Sequence, residues 1–432
     1  MTRGDGGESS GEIKGGSRAE PPERRRSEPD PVAAEFVLRL GRSLQCYGLS
    51  SQRLEDLLGA TAERLGLSGH QFFSTPTSIM ASFGPVGRQR THMLRTEPGE
   101  VNLGKLAALE RLGIEVAEGR CSPAEGTAEI ERVAAAPSPY GPALTTIAFG
   151  LVSGAACQFL GGGGREVLAA SLLGLGLGVL ALLTGALPRL GGVFEPLAAF
   201  LVSAGAIGMA ALLGPMSVLV ATLAGLIVLL PGLTLTTAMT ELATRHLASG
   251  VARLSGAFST FLTLAFGVAL GNRVGAAVFG AAPTALATPG AAWASLVALV
   301  VAPLCFTVIL RAEPRDAPWI VLAGALGVLG GRVGAATFGV ELGTFAGSFA
   351  VALAGNLYER WRRRPAAVIV VPGILLLVPG SVGFRSLTSL IDREALTGVE
   401  TAFSMILTAI ALVAGMLMAG VIVPERRIGS GA

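Results

Sequence analysis

Two hydrophobic patterns follow one another along the chain and change over near residue 140. Before that point, apolar residues are spaced for small amphipathic elements. After it, long apolar runs succeed one another with short polar breaks. In PVAAEFVLRLGRSLQCYG, Val32, Phe36, Leu40 and Leu44 recur on one face and predict a helix, with Gly48 as a left-handed stop. Ser50 or Ser51 can cap a second helix, SQRLEDLLGATAERLG. QFFSTPTSIMASFG and RQRTHMLRTE read as strands joined by a turn around Gly84, Pro85 and Gly87. LGKLAALERLG predicts a third helix, and Ser122, Pro123 and Glu125 mark the start of a fourth.

Crossing a bilayer core of about 30 Å takes about 20 apolar residues. Ten segments qualify as candidates. The first five lie near 142–161, 166–187, 194–213, 216–231 and 254–274. The second five lie near 289–310, 317–331, 335–355, 366–380 and 400–423. The fourth, seventh and ninth are short, and short or Pro/Gly-broken spans are tolerated where protein or a watery cavity covers the loosened backbone. The predicted fold is an all-α polytopic membrane domain of about ten transmembrane helices with a small soluble α/β N-terminal domain. The expected boundaries are a disordered tail over 1–30, the α/β domain over 31–138, a first five-helix module over 139–280 and a second over 281–432.

The two modules resemble each other at a constant offset of 148 residues, with LLPGLTLTTAMTELATRHLASGV lying over LVPGSVGFRSLTSLIDREALTGV. Matches include Pro231/Pro379, Gly232/Gly380, Thr240/Thr388, Leu242/Leu390, Arg245/Arg393, Gly250/Gly398 and Gly267/Gly415. An odd number of spans per module makes the second cross the membrane upside down relative to the first. That predicts inverted repeats, an architecture of alternating-access transporters.

Loop charge orients the chain. With the N-terminal domain in the cytoplasm, ten spans return the C-terminus there. The inner loops then hold Arg189, Arg245, Arg253, Arg311, Arg315, Arg360, Arg362, Arg363 and Arg364, and the tail adds Arg426 and Arg427. The outer loops hold Arg165, Arg273, Arg332, Arg385 and Arg393. The expected location is the inner or plasma membrane, multi-pass, with both termini cytoplasmic.

Composition agrees with a membrane chain: 51% of the 432 residues are hydrophobic and 15% charged. Soluble domains carry about a quarter charged residues. A net charge of +3 gives no reason to expect nucleic acid. Cys46, Cys121, Cys157 and Cys305 are isolated, without metal or redox spacing, so neither a metal nor a cofactor is expected. His70, His92 and Ser74 are the only residues that suggest hydrolysis in the N-terminal domain, and no nucleophile elbow or phosphate loop accompanies them. The chain is therefore read as a non-enzyme, with a regulatory or gating N-terminal domain. A membrane-anchored hydrolase is the alternative of a different class. A homo-oligomer is compatible with the pattern.

The candidate substrate site gathers around the two Pro-Gly pairs. Pro231 and Pro379 cannot donate a helix hydrogen bond, so the backbone can break there and offer amide and carbonyl groups to a polar solute. Thr234, Thr236, Thr237 and Thr240 bring hydroxyls to the first break, and Ser381, Ser386, Thr388 and Ser389 to the second. Pro231, Gly232, Thr236, Thr237, Thr240, Pro379, Gly380, Arg385 and Thr388 are the expected substrate contacts. Glu241, Glu341 and Asp392 are the candidates for proton coupling, because ionisable groups within spans are costly and often functional.

These residues resemble the threonine/serine exporter family over roughly residues 31–425. AAEFVLRLGRSLQCYGLSSQRLEDLL is similar to its soluble region. LLPGLTLTTAMTELATRHLASGVARLSGAF is similar to its most characteristic stretch, with Pro231, Gly232, Thr236, Thr237, Glu241, Leu242, Gly250, Arg253 and Leu254 at matching positions. VPGILLLVPGSVGFRSL resembles its second module, here fused to the first. The acidic position holds Glu241 where the family more often has Asp, which lengthens the side chain. The resemblance implies export of threonine and serine, driven by the proton motive force. Some relatives are linked to dicarboxylates instead, and Arg245, Arg253, Arg385 and Arg393 fit that alternative.

Overall fold

The computed structural model describes residues 30–280, 285, 287, 289–391 and 394–424. The N-terminal unit runs α1 (Pro31–Cys46), α2 (Ser51–Arg64), β1 (Gln71–Thr75), β2 (Ser78–Phe83), β3 (Arg90–Arg95), α3 (Leu103–Ala117) and α4 (Pro123–Ala135). The strands form one antiparallel sheet in the order β1-β2-β3. Phe36, Leu40 and Leu44 of α1 are buried with Leu54 and Leu58 of α2, Ile79 and Phe83 of β2 and Leu109 of α3. Val32, expected on that face, is 45% exposed in the first turn of α1. QFFSTPTSIMASFG, expected as one strand, is a hairpin of two: Gln71 pairs with Ser82 and Thr75 with Ser78. Pro76, which has no N–H for a ladder, stands in the turn between them.

Helix α4 starts as its sequence implies. The Ser122 N–H donates to Glu125 Oε2 at 2.9 Å, and the Glu125 N–H returns a bond to Ser122 Oγ at 3.3 Å. A Cβ on Gly126 would stand 2.7 Å from Phe36 Cε2 and 2.9 Å from Val116 Cγ2. Gly126→Val should therefore force α4 off α1 and cost about 1–3 kcal/mol. A lowered midpoint in thermal unfolding checks this, and an unchanged midpoint would contradict the packing.

The remaining helices fall into two series of like order. The first is α5 (Pro142–Phe159), α6 (Gly164–Ala186), α7 (Phe194–Leu213), the short α8 (Val218–Gly225) and α9 (Gly232–Ala243), and α10 (Leu247–Phe279). The second is α11 (Ala292–Ile309), α12 (Ala317–Phe338), α13 (Val340–Arg362), the short α14 (Ala367–Leu375) and α15 (Gly380–Ile391), and α16 (Ala395–Ile422). Among the described residues eight helical segments are long and apolar enough to cross a membrane, α14 and α15 being taken together as one. Two of the ten expected spans are not among the eight. Residues 216–231 hold only the 8-residue α8 before the chain turns. Residues 335–355 lie mostly in α13, a 23-residue helix whose first two side chains, Val340 and Glu341, lie outside the described residues.

Packing recurs between the series. Helix α7 lies on α10 as α13 lies on α16; α8 lies on α6 as α14 lies on α12; α9 lies on α10 as α15 lies on α16. A Cβ on Gly250 would meet Leu242 Cγ at 2.7 Å, and one on Gly398 would meet Leu390 Cγ at 2.6 Å. A Cβ on Gly267 would stand 2.5 Å from the Pro196 carbonyl oxygen, and one on Gly415 2.5 Å from that of Phe345. Lipid tails are as apolar as leucine, so close backbone approach at small residues is what favours helix over lipid as a neighbour. Helix α5 packs on α11 and joins the two series. Phe258, Phe266 and Phe403 are exposed on the outside of the bundle, as a lipid-facing surface requires.

The N-terminal unit sits on one end of this bundle. The Leu103 N–H donates to the Leu310 carbonyl at 2.9 Å, the Gly104 N–H to that of Arg311 at 3.1 Å, and Tyr140 Oη to that of Ala312 at 2.7 Å. Burial, followed by the nearby Asp316 and Glu313 charges, pushes the Tyr140 hydroxyl above its usual range, so it stays a donor. Leu103 and Ala107 share an apolar cluster with Ala312, Ile320, Tyr358 and Val368.

Candidate functional site

Pro231-Gly232 and Pro379-Gly380 both lie at helix breaks, and the breaks meet. Helix α8 ends at Gly225, the chain turns through Leu226–Leu230, and α9 starts at Gly232. Helix α14 ends at Leu375 and α15 starts at Gly380. A Cβ on Gly232 would be 2.3 Å from Val378 Cγ1 and 3.6 Å from Gly380 Cα, and one on Gly380 would be 3.2 Å from Gly232 Cα. Only residues without a side chain permit this approach. The two broken helices pass the contact in opposite senses. Helix α9 leaves it toward the N-terminal unit, which its last turn touches through Glu241. Helix α14 arrives from that unit, against which Ala367 and Val368 are packed.

The hydroxyls beside the breaks are mostly used within their own helices. Thr236 Oγ1 donates to the Gly232 carbonyl at 3.1 Å and Thr240 Oγ1 to that of Thr236 at 2.9 Å. Thr388 Oγ1 donates to the Arg385 carbonyl at 2.9 Å, and the buried Ser386 Oγ to that of Gly398 at 2.7 Å. Thr237 and Arg385, which occupy equivalent places at the offset of 148 residues, differ from these. Thr237 is half-buried and makes no side-chain hydrogen bond among the described residues. Arg385 is half-buried, and its Nε is buried with no hydrogen-bond partner.

Glu241 sits elsewhere than at the breaks. It is fully buried, and Arg253 Nε donates to both of its oxygens at 3.1 Å. Its Oε1 also accepts from the Ser51 N–H at 2.9 Å. That N–H opens α2, where the Ser50 side chain makes no cap bond. A carboxylate from α9 thus does the work expected of a local serine, since a helix N-terminus favours negative charge. Ser51 Oγ donates to Ser249 Oγ at 2.7 Å, and His246 Nε2 stands 3.5 Å from Glu55 Oε2. Arg53 Nη2 lies 2.9 Å from Glu359 Oε1 on α13 and 3.6 Å from Glu110 Oε2 on α3. The side chain of Glu341 and all of Asp392, like Arg393, lie outside the described residues.

Sequence reasoning missed this clasp of Ser51, Arg53, Glu110 and Glu359. One signal was present: Glu110 falls between Leu106, Leu109 and Gly113 on the apolar face of α3, where a charge requires a partner. The hydrolytic suggestion does not assemble. Ser74 Oγ and its N–H both bond Glu55 Oε1 at 2.7 Å, His70 Nδ1 lies 2.9 Å from the Leu67 carbonyl, and His92 is exposed on β3.

Residues 35–275 match the family described as "Putative threonine/serine exporter", and residues 295–422 match the one described as "Threonine/Serine exporter, ThrE". The chain belongs to the threonine/serine exporter family. Both of its matched segments contain one Pro-Gly break. Among curated proteins it is similar to pheromone-regulated membrane protein 10 of Debaryomyces hansenii, 27% identical over 85% of this chain and 37% of that protein. The protein of the same name from Candida albicans strain WO-1 is 28% identical over 81% and 33%, and that of Saccharomyces cerevisiae strain YJM789 25% identical over 86% and 48%. The chain thus spans between a third and a half of the length of these relatives. No solved structure matches. The chain is a multi-pass membrane protein.

Proposed function

We propose that this exporter is a secondary transporter of threonine and serine, driven by the proton motive force across the plasma membrane. Its N-terminal unit and C-terminus then lie in the cytoplasm. The observation that carries the reading is the junction of the two Pro-Gly breaks together with the unpartnered Nε of Arg385 on the helix that leaves it. Substrate binds where the breaks part. Arg385 takes the α-carboxylate, which a guanidinium holds well. Thr237 and the backbone groups freed at Pro231 and Pro379 take the amine and hydroxyl. The opposed senses of α9 and α14, and the recurring helix contacts, support two modules of inverted topology that rock about this point. Glu241 carries the coupling proton. Its bonds to Arg253 and to the Ser51 N–H connect that role to the N-terminal unit.

A dicarboxylate substrate is the weaker reading, because the arginines that motivate it are dispersed. Arg253 is committed to Glu241, and Arg245 is exposed. One free guanidinium suits one carboxylate. Proteoliposomes with an imposed pH gradient test the proposal: threonine and serine should move and succinate should not compete. Arg385→Gln should weaken apparent threonine affinity by roughly 10- to 100-fold, the loss of one charge-assisted bond of about 1.5–3 kcal/mol. Full threonine flux in the Gln variant, or competition by succinate alone, would remove the assignment.

A further inference from the structure

The N-terminal end of α12 and the C-terminal end of α13 enclose a cleft of about 250 Å³, lined by Arg315, Asp316, Tyr358, Trp361, Arg362 and Arg364. Its floor is fixed. Tyr358 Oη donates to Asp316 Oδ1 at 2.8 Å, and Arg364 Nη1 lies 3.0 Å from the same oxygen. Arg364 Nη2 reaches Glu313 Oε1 at 3.0 Å, and Arg315 pairs with the other Glu313 oxygen.

Arg362 is different. It forms no ion pair among the described residues. Its guanidinium carbon stands 5.9 Å from the Trp319 ring centre and 5.5 Å from that of Trp361. The two indoles meet edge to face at 5.4 Å, so the cation rests on a rigid aromatic corner. Three arginines face two carboxylates, which leaves a net positive cleft. Asp316 Oδ2, buried at the floor, has no hydrogen-bond partner.

The position is as informative as the chemistry. Both helix ends lie on the face that carries the N-terminal unit, since Arg311 and Ala312 precede the cleft and Glu359 adjoins it. Trp361 is 69% exposed at the end of an apolar helix, the place where indoles mark the headgroup level. Basic clusters at that level attract anionic lipids.

We propose that this cleft binds the phosphodiester of an anionic phospholipid headgroup, with Arg362 as its principal cation. A headgroup hydroxyl would satisfy Asp316 Oδ2. The acyl chains would leave past Trp361 along the outer surface of the bundle. Inorganic phosphate shares the charge, but it uses neither the exposed indole nor the apolar helix surface below.

Thermal unfolding of the full-length protein in detergent tests this with three additions: dioctanoyl phosphatidylglycerol, dioctanoyl phosphatidylcholine and inorganic phosphate. The glycerol lipid should raise the midpoint at least tenfold more effectively by concentration than either of the others. Arg362→Gln should weaken the lipid effect at least tenfold when each variant is read against its own midpoint without lipid. Arg363→Gln, a neighbouring exposed charge, should keep the full effect. Equal response to phosphatidylcholine, equal response to phosphate alone, or equal loss in both variants would overturn the proposal.

Discussion

Glu241→Ala is expected to abolish the proposed proton-driven threonine export and to loosen the N-terminal unit from the membrane helices. The carboxylate is fully buried, and its partner Arg253 is only 16% exposed. Removing one member of a buried ion pair costs about 3–5 kcal/mol, because the other charge stays behind without compensation. The loss at Ser51 adds about 0.5–2 kcal/mol, since α2 has no other cap. The double variant Glu241→Met with Arg253→Met separates stability from transport. An apolar pair of similar volume can replace a buried ion pair at little cost. Its unfolding midpoint should recover most of the wild-type value, while export under a pH gradient stays absent. Gradient-driven export by a well-folded double variant would exclude Glu241 as the coupling group.

Gly232→Ala is the second large effect. The new methyl would stand 2.3 Å from Val378 Cγ1, well inside van der Waals contact. Overpacking of this kind costs about 1–3 kcal/mol. The larger consequence is for flux, because the methyl wedges apart the junction where substrate is proposed to bind. Val378→Ala removes the opposing methyl and should rescue Gly232→Ala in both unfolding and export. Gly380→Ala should have no such suppressor. Its methyl would face Gly232 Cα at 3.2 Å and Leu230 Cβ at 3.5 Å, and backbone has less room to yield than a side chain. If Val378→Ala failed to restore Gly232→Ala, the contact between the breaks would not be the cause.

What the sequence disclosed follows from the range over which each interaction acts. The Pro-Gly breaks were legible because proline's missing N–H is a local fact, and the repeat doubled the signal. The capping box at Ser122 was legible for the same reason. The hairpin at Pro76 was obscured by a run of strand-forming residues on both sides. The hydroxyls of Thr236 and Thr240 were legible as groups but not in direction, since back-bonding to their own helix was as available as an outward pose. Glu241 stood out as an acid in an apolar stretch. Its partner Ser51 is 190 residues away, and no periodicity links them. Arg385 was expected in an outer loop and instead has a buried Nε within α15.

Ser51 and Arg53 occupy the same turn of α2, yet they hold opposite halves of the molecule. Ser51 is tied to Glu241 and Ser249 in the first helix series, and Arg53 to Glu359 in the second. A stiff strut pinned to both sides of a hinge stays pinned only while the hinge is still. If the two halves swing against each other as proposed, one of two fastenings placed within a single turn has to break, and α2 would then serve as a detent.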